Sequence, residues 1–241
     1  MANNRLRRLM LPIVGALALG IAVSIPAAPA SAITTPSGTP YVTYTANISA
    51  KGSGTGYSSY INIHDAQNNA ISFGIQSDSG SPQSKGKPRY IWERVQNGKF
   101  TYGYLDAASN NLTPVGLRWW TNDTVALSVN HRTVATVKVN LEPRLFFNAE
   151  ANARLNGDVV HSTVQNVSIA VGNVSGRKGL NGTWNTGFSF HGLKAKQTNS
   201  AKQQGASFAI DGRVSGLASG HNWDTDQVSG IAMIAQYWNG R

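Results

Sequence analysis

No cysteine occurs in the chain, which excludes a disulfide framework, a thiol nucleophile, cysteine-ligated zinc and a lipid-carrying cysteine. A domain built without bridges must be held by a buried core, and 241 residues are enough to bury one. Charge is sparse at 13% of residues, and glutamate sparser still: Glu93, Glu142 and Glu150 are all there is. There is no G-x-S-x-G, no H-E-x-x-H and no phosphate-binding loop, so the common serine hydrolases, zincins and phosphate-cradling enzymes have no motif here. The five histidines are scattered. His64-Asp65 reads either as half of a catalytic dyad or as an ordinary loop pair. Long apolar runs are missing too, except from Leu11 to about Ile25, which falls short of the roughly 18 residues a membrane span needs.

That one apolar run sits in a telling place. Arg5, Arg7 and Arg8 precede it without an acid, and small residues follow it to Ala30-Ser31-Ala32. A basic start, a short apolar stretch and an A-x-A exit are the parts of a secretory signal peptide. The expectation is a leader over residues 1–32 and a secreted, bacterial-type β domain over 33–241, extracellular or associated with the cell wall. The formal charge of +10 includes the three leader arginines, and the remainder is still strongly basic. Such a balance suits anionic surfaces and acidic polysaccharide. The densest cations, Lys85, Lys87, Arg89, Arg94 and Lys99, are spread over a turn and a strand, so nucleic acid is not an expected partner.

Within 33–241 the apolar residues alternate with period two almost throughout. Thirteen strands are expected, among them "YVTYTANISA" from Tyr41, "YINIHDA" from Tyr60, "AISFGIQ" from Ala70, "RYIWERV" from Arg89, "FTYGYLD" from Phe100, "RLFFNAEANAR" from Arg144 and "VSGIAMIAQYW" from Val228. Asn97-Gly98 and Asn156-Gly157 are two-residue hairpin signals, because Asn and Gly tolerate positive φ. Residues 172–187, rich in glycine, form either a linker or a long loop before the last three strands, and three strands alone rarely make a stable unit. The expected class is an all-β antiparallel sandwich.

The segment "TVALSVN-HRT-VATVKVNL" followed by "PRLFFNAEANARLNGDVVHSTVQNVSI", from Thr124 to Ile169, resembles the late strands of concanavalin A-like lectin and glucanase jelly rolls. "SSYINIHDAQNNAISFGIQ" is similar to a first-sheet hairpin of that superfamily. The resemblance covers about half of 33–241 and implies a jelly roll whose concave sheet carries a glycan groove. It further implies that a glucanase would bear its acids on one strand at near-alternate positions. None of the three glutamates has an Asp or Glu two residues away, so a lectin-like role is favoured over hydrolysis. A polysaccharide-active glycosidase or lyase and a basic adhesive protein of the envelope are the alternatives.

Sugar rings stack on aromatic faces while their hydroxyls bond amides and carboxylates. Trp184 and Trp223 lie in polar stretches, and Trp119-Trp120 on a strand must point to opposite faces, one inward and one exposed. Asn148, Glu150 and Asn152 alternate with apolar residues, which makes them one polar stripe; it lines a groove or faces solvent with a Glu150–Arg154 pair. Glu150 is the best single acid, with Asp65 or Asp224 as its nearest candidate partner. In "HNWDTDQ", Asn222, Asp224 and Asp226 stand at i, i+2 and i+4. They form either a calcium loop, similar to the metal-bearing loop of legume-type lectins, or a turn whose Asx side chains bond their own backbone. No other cofactor is expected. If the leader is removed as read, N-terminal sequencing of the exported protein begins at Ile33; a start at Met1 would contradict it.

Overall fold

The computed structural model describes residues 33–120, 122–142, 145–153 and 159–171, and beyond Val171 the strand backbones over 180–184, 188–194, 201–203, 208–210, 213–215, 217–222 and 228–237. Every regular element among them is a strand. The first ten are β1 (Val42–Ser53), β2 (Gly56–Asp65), β3 (Ala70–Asp78), β4 (Arg89–Gln96), β5 (Lys99–Ala107), β6 (Thr113–Trp119), β7 (Thr124–Val129), β8 (Arg132–Lys138), β9 (Leu145–Ala153) and β10 (Val159–Val171). They coincide with the ten runs read from alternation. Then follow β11 (Leu180–Trp184), β12 (Phe188–Lys194), β13 (Ala201–Gln203), β14 (Phe208–Ile210), β15 (Arg213–Ser215), β16 (Leu217–Asn222) and β17 (Val228–Tyr237).

Two antiparallel sheets pack face to face as a β-sandwich. One runs β13-β12-β10-β1-β6-β7-β8, with β11 also on β10; the other runs β16-β17-β9-β2-β3-β4-β5. The late strands thus extend both sheets, β12 through β10 and β17 through β9. Three sequence expectations are corrected here. The glycine-rich stretch contains β11, which pairs Leu180–Trp184 with β10. The run from Ala206, read as one strand, is a hairpin of two short ones. His221 and Asn222, read as turn, end β16.

Between the sheets lie Val42, Tyr44, Ile48, Ile61, Ile63, Phe73, Leu117, Phe147 and Ile169, all essentially without solvent contact. Each comes from the inward positions of an alternating strand, which is why period two in the sequence sufficed to place them. Polar ties cross the core: the Tyr44 hydroxyl donates to the Asn148 carbonyl at 3.0 Å, and Ser59 and Ser162 share a hydroxyl bond of 2.6 Å. Satisfied inside an apolar layer, such bonds fix how one sheet sits on the other. Trp119 and Trp120 are both buried, and the Trp120 indole donates to the Gly38 carbonyl at 3.1 Å. The expectation of one exposed ring fails because residues before β1 cover the second indole.

The hairpins follow their turn residues. Asn97 and Gly98 take φ of 51° and 72° between β4 and β5, and Asn130 and His131 take 47° and 64° between β7 and β8. Asn156-Gly157 lies outside the described residues. Gly74, central in β3, has a different constraint: a Cβ there would stand 1.9 Å from the Ser59 carbonyl oxygen. Backbone cannot yield cheaply at such a distance, so Gly74→Ala should cost about 2 kcal/mol or more. Thermal unfolding is the check; an unchanged Tm would show that β2 and β3 are not in this register.

Candidate functional site

The outward face of the seven-stranded sheet is not an ordinary wet surface. β1 in the other sheet alternates buried and partly buried residues, whereas β2, β3 and β9 are buried along much of both faces. On that outward face the registers line side chains into four rows, running from β9 through β2, β3 and β4 to β5. The first holds Asn152, Ser58, Gln76 and Arg89. In the second stand Glu150, Tyr60, Gly74, Ile91 and Tyr104. Asn148, Asn62, Ser72, Glu93 and Tyr102 make the third, and Phe146, His64, Ala70, Val95 and Phe100 the fourth. The fourth row closes one side with apolar surface, where the His64 ring stacks on Phe146 at 4.8 Å. Burial lowers the His64 pKa.

Two of the three glutamates meet here. Glu150 accepts from the Asn62 amide at 3.2 Å, and Glu93 is reached by the Tyr60 hydroxyl at 3.0 Å. The contacts cross: Tyr60, in the row of Glu150, leans over Gly74 to Glu93, while Asn62, in the row of Glu93, leans to Glu150. The Tyr60 hydroxyl also lies 2.5 Å from Gln76 Oε1, and Gln76 Nε2 donates to the Tyr104 hydroxyl at 2.9 Å. Burial pushes both carboxyls up to about 7. For Glu93 the Tyr60 bond pulls back down and the charge of Glu150 pushes up; for Glu150 the Asn152 and Asn62 amides pull down. Nearby, Asn62 Oδ1 and Asn148 Oδ1 are buried without a hydrogen-bond partner.

The rim beside these acids is aromatic. Phe100, Tyr102 and Tyr104 follow one another at alternate positions of β5, the end strand, with ring centres 5.9 Å apart at each step. Phe100 is 38% exposed, and both tyrosines are partly open. Burial pushes the Tyr104 hydroxyl up to about 12, with Ser81 of the loop before β4 drawing it back down. A sheltered polar floor, two weakly acidic carboxyls and a ladder of rings therefore share one face.

Of the residues singled out from sequence, Asn148, Glu150 and Asn152 stand together on this floor as a stripe of β9. Arg154 lies outside the described residues. Asp65 is not the partner of Glu150: its carboxylate accepts from the backbone amides of Gln67, Asn69 and Glu142 and from the Asn69 side chain, at 2.8 to 3.0 Å. It holds the β2–β3 turn and the approach to β9 instead. The His64 ring nitrogen meets the Asp65 backbone carbonyl, at 3.3 Å, and not its carboxylate, which is taken up by the turn amides. Trp119 and Trp120 belong to the interior, where neither ring offers a face to a ligand. Trp184 ends β11 opposite Val167, its side chain outside the described residues, as are Trp223, Asp224 and Asp226; Asn222 pairs with Val228 at the end of β16. Among the described residues no three His, Asp or Glu cluster as a metal site requires. No helix among them is long and apolar enough to cross a membrane.

Glu93, Tyr60, Asn62, Gln76 and the β5 rings did not stand out in the sequence. "F-T-Y-G-Y" carries a visible signal, three aromatics at alternate positions, and Glu93 is a lone acid between Ile91 and Val95 on one strand face. A second hollow, about 480 Å³, lies at one end of the sandwich beside Arg94, Gln96, Asn122, Lys138 and Glu142. Its polar groups bond one another, as in Gln96 to Asn69 and Arg94 to the Lys138 carbonyl. No family model matches the chain, and no curated protein is significantly similar to it.

The raised carboxyl pKa values fix a pH dependence. A group that holds its proton more tightly when folded gives stability that is full below its unfolded value and lost as pH rises through its folded value. For Glu93 and Glu150 the window runs from 4.5 to about 7. Tm should therefore fall between about pH 5 and about pH 8, and Glu93→Gln or Glu150→Gln should flatten that fall. A Tm that rises over this range, or a slope the variants leave untouched, would show that the acids are solvated.

Proposed function

We propose that this is a secreted carbohydrate-binding protein whose site is the outward face of the seven-stranded sheet. The observation that carries the reading is the pair of buried, unpartnered amide oxygens, Asn62 Oδ1 and Asn148 Oδ1, on the same sheet face as the β5 ring ladder. A buried acceptor without a donor costs about 1–3 kcal/mol, which a ligand hydroxyl removes by donating to it. The rings supply what the rest of a sugar needs, an apolar surface for its C–H faces. Glu150, Asn152 and Gln76 add further polar contacts across the floor.

The same face points to a neutral saccharide. Arg89 is the sole Lys or Arg in the four rows, and its guanidinium is turned to the Leu105 carbonyl. This departs from the preference for anionic glycans expected from composition.

Titration of residues 33–241 with a panel of soluble polysaccharides, followed by calorimetry, tests the reading. Binding should weaken at least ~10-fold in Tyr102→Ala and in Asn148→Leu, the first removing a stacking surface and the second an acceptor. Equal affinity in both variants would place the site elsewhere on the molecule.

A further inference from the structure

We propose that the outward face of the eight-stranded sheet, the one containing β1 and β10, binds an acidic polysaccharide, with Arg118 holding a sugar carboxylate and the hydroxyls around it meeting those of the sugar. This surface lies on the opposite side of the sandwich from the site above and stands whether or not that site binds.

The strand registers assemble this face around one cation. Val115, Leu117 and Trp119 of β6 point into the core, so alternation sends Arg118 and Gly116 outward. Arg118 stands between Thr43 of β1 and Ala126 of β7, with Thr136 of β8 beyond. One row along, Gly116 stands between Thr45 and Ser128. A Cβ at Gly116 would lie 2.7 Å from the Ser128 hydroxyl oxygen and 3.1 Å from the Thr45 methyl. Glycine there lets both hydroxyl-bearing side chains close in beside Arg118. Farther down β1 the outward positions pass through Asn47 and Ser49 to Lys51, which pairs with His161 of β10.

Charge and bonding both point to an anion. Among the described residues no Asp or Glu occupies an outward position of this sheet: Glu93 and Glu150 project from the other one, and Asp65, Asp78, Asp106, Asp123 and Glu142 sit at strand ends or in turns. Arg118 is partly buried, yet its guanidinium makes no hydrogen bond or ion pair among those residues. Arg89, Arg94 and Lys138 differ, each being held by a carbonyl or hydroxyl oxygen of the protein. The five N–H donors of Arg118 are therefore left for a ligand, and a guanidinium fork fits a planar carboxylate through two parallel bonds. Hydroxyls that both donate and accept suit the rest of a sugar ring. Eight positions along β1 put Lys51 about 27 Å from the level of Arg118, so an extended chain lying along the strand meets a second cation. No Phe, Tyr, Trp, Leu or Ile stands at the outward positions of β1, β6, β7, β8 and β10, which leaves nothing to stack on a base or enter a bilayer.

The test titrates the protein with polygalacturonate and with its fully methyl-esterified form, the same chain with its charges capped. The acid form should bind, less tightly as salt rises, and the ester at least ~10-fold more weakly. Arg118→Gln should weaken binding of the acid form at least ~10-fold, and Arg118→Lys should restore only part of the loss, because an ammonium lacks the fork. Thr45→Glu sets an acid beside Arg118 and carries the same expectation, which keeps the test open where Arg118→Gln does not fold. Any binding of a neutral polysaccharide at the other sheet should be unchanged in Arg118→Gln, so the two readings fail separately. Absence of binding at low salt, equal binding of acid and ester, or full binding by both Arg118→Gln and Thr45→Glu overturns the proposal. Polyglutamate or anionic vesicles bound as tightly as polygalacturonate overturn it too, by showing that charge alone is recognised.

Discussion

The antiparallel register of β2 on β9 is the constraint on which the rest depends. It pairs Tyr60 with Glu150 and Asn62 with Asn148, residues far apart in the chain. A slip of one residue would turn Asn148 and Glu150 into the core and Phe147 out of it, because side chains on a strand alternate strictly. The core forbids that slip. Phe147 lies edge-on to Tyr44 at 5.7 Å, and the Tyr44 hydroxyl is bonded to the β9 backbone at Asn148. The same contacts that stabilise the sandwich therefore aim the acidic stripe outward.

Holding two glutamates on a sheltered face opposes folding. Burial penalises a charged carboxyl, and a second carboxyl nearby penalises it further. The chain offsets this with neutral partners in place of cations: Tyr60, Asn62 and Asn152 bond the acids, and no lysine stands in their rows. A salt bridge would have pinned both groups in their ionised forms. Neutral hydrogen bonds leave burial dominant, and both carboxyls are pushed up to about 7.

Much of the sandwich was legible in the sequence. Ten strands, the Asn97-Gly98 hairpin and the β9 stripe follow from alternation and turn chemistry, which are local. Glu93 was not legible as a partner of Glu150, because the two are joined only by the order β4-β3-β2-β9, and strand order is not a local property. The two acids influence each other only through charge, from strands three places apart in the sheet. Tryptophans drew the eye as sugar platforms, yet Trp119 and Trp120 pack inside and the ladder belongs to Phe100, Tyr102 and Tyr104. Asp65 misled in another way, since a carboxylate next to a histidine looks the same whether it serves a reaction or a turn. Only its four amide donors separate the two.

Glutamate scarcity makes the central claim directly measurable. With selective ¹³C labelling at the glutamate side-chain carboxyl, the NMR spectrum of residues 33–241 contains three signals, from Glu93, Glu142 and Glu150. Titration should show two of them changing near neutral pH, each perturbed when the other is replaced by glutamine. Three independent titrations close to the ordinary glutamate value of about 4.3 would contradict the account, placing both acids in open solvent and out of reach of each other.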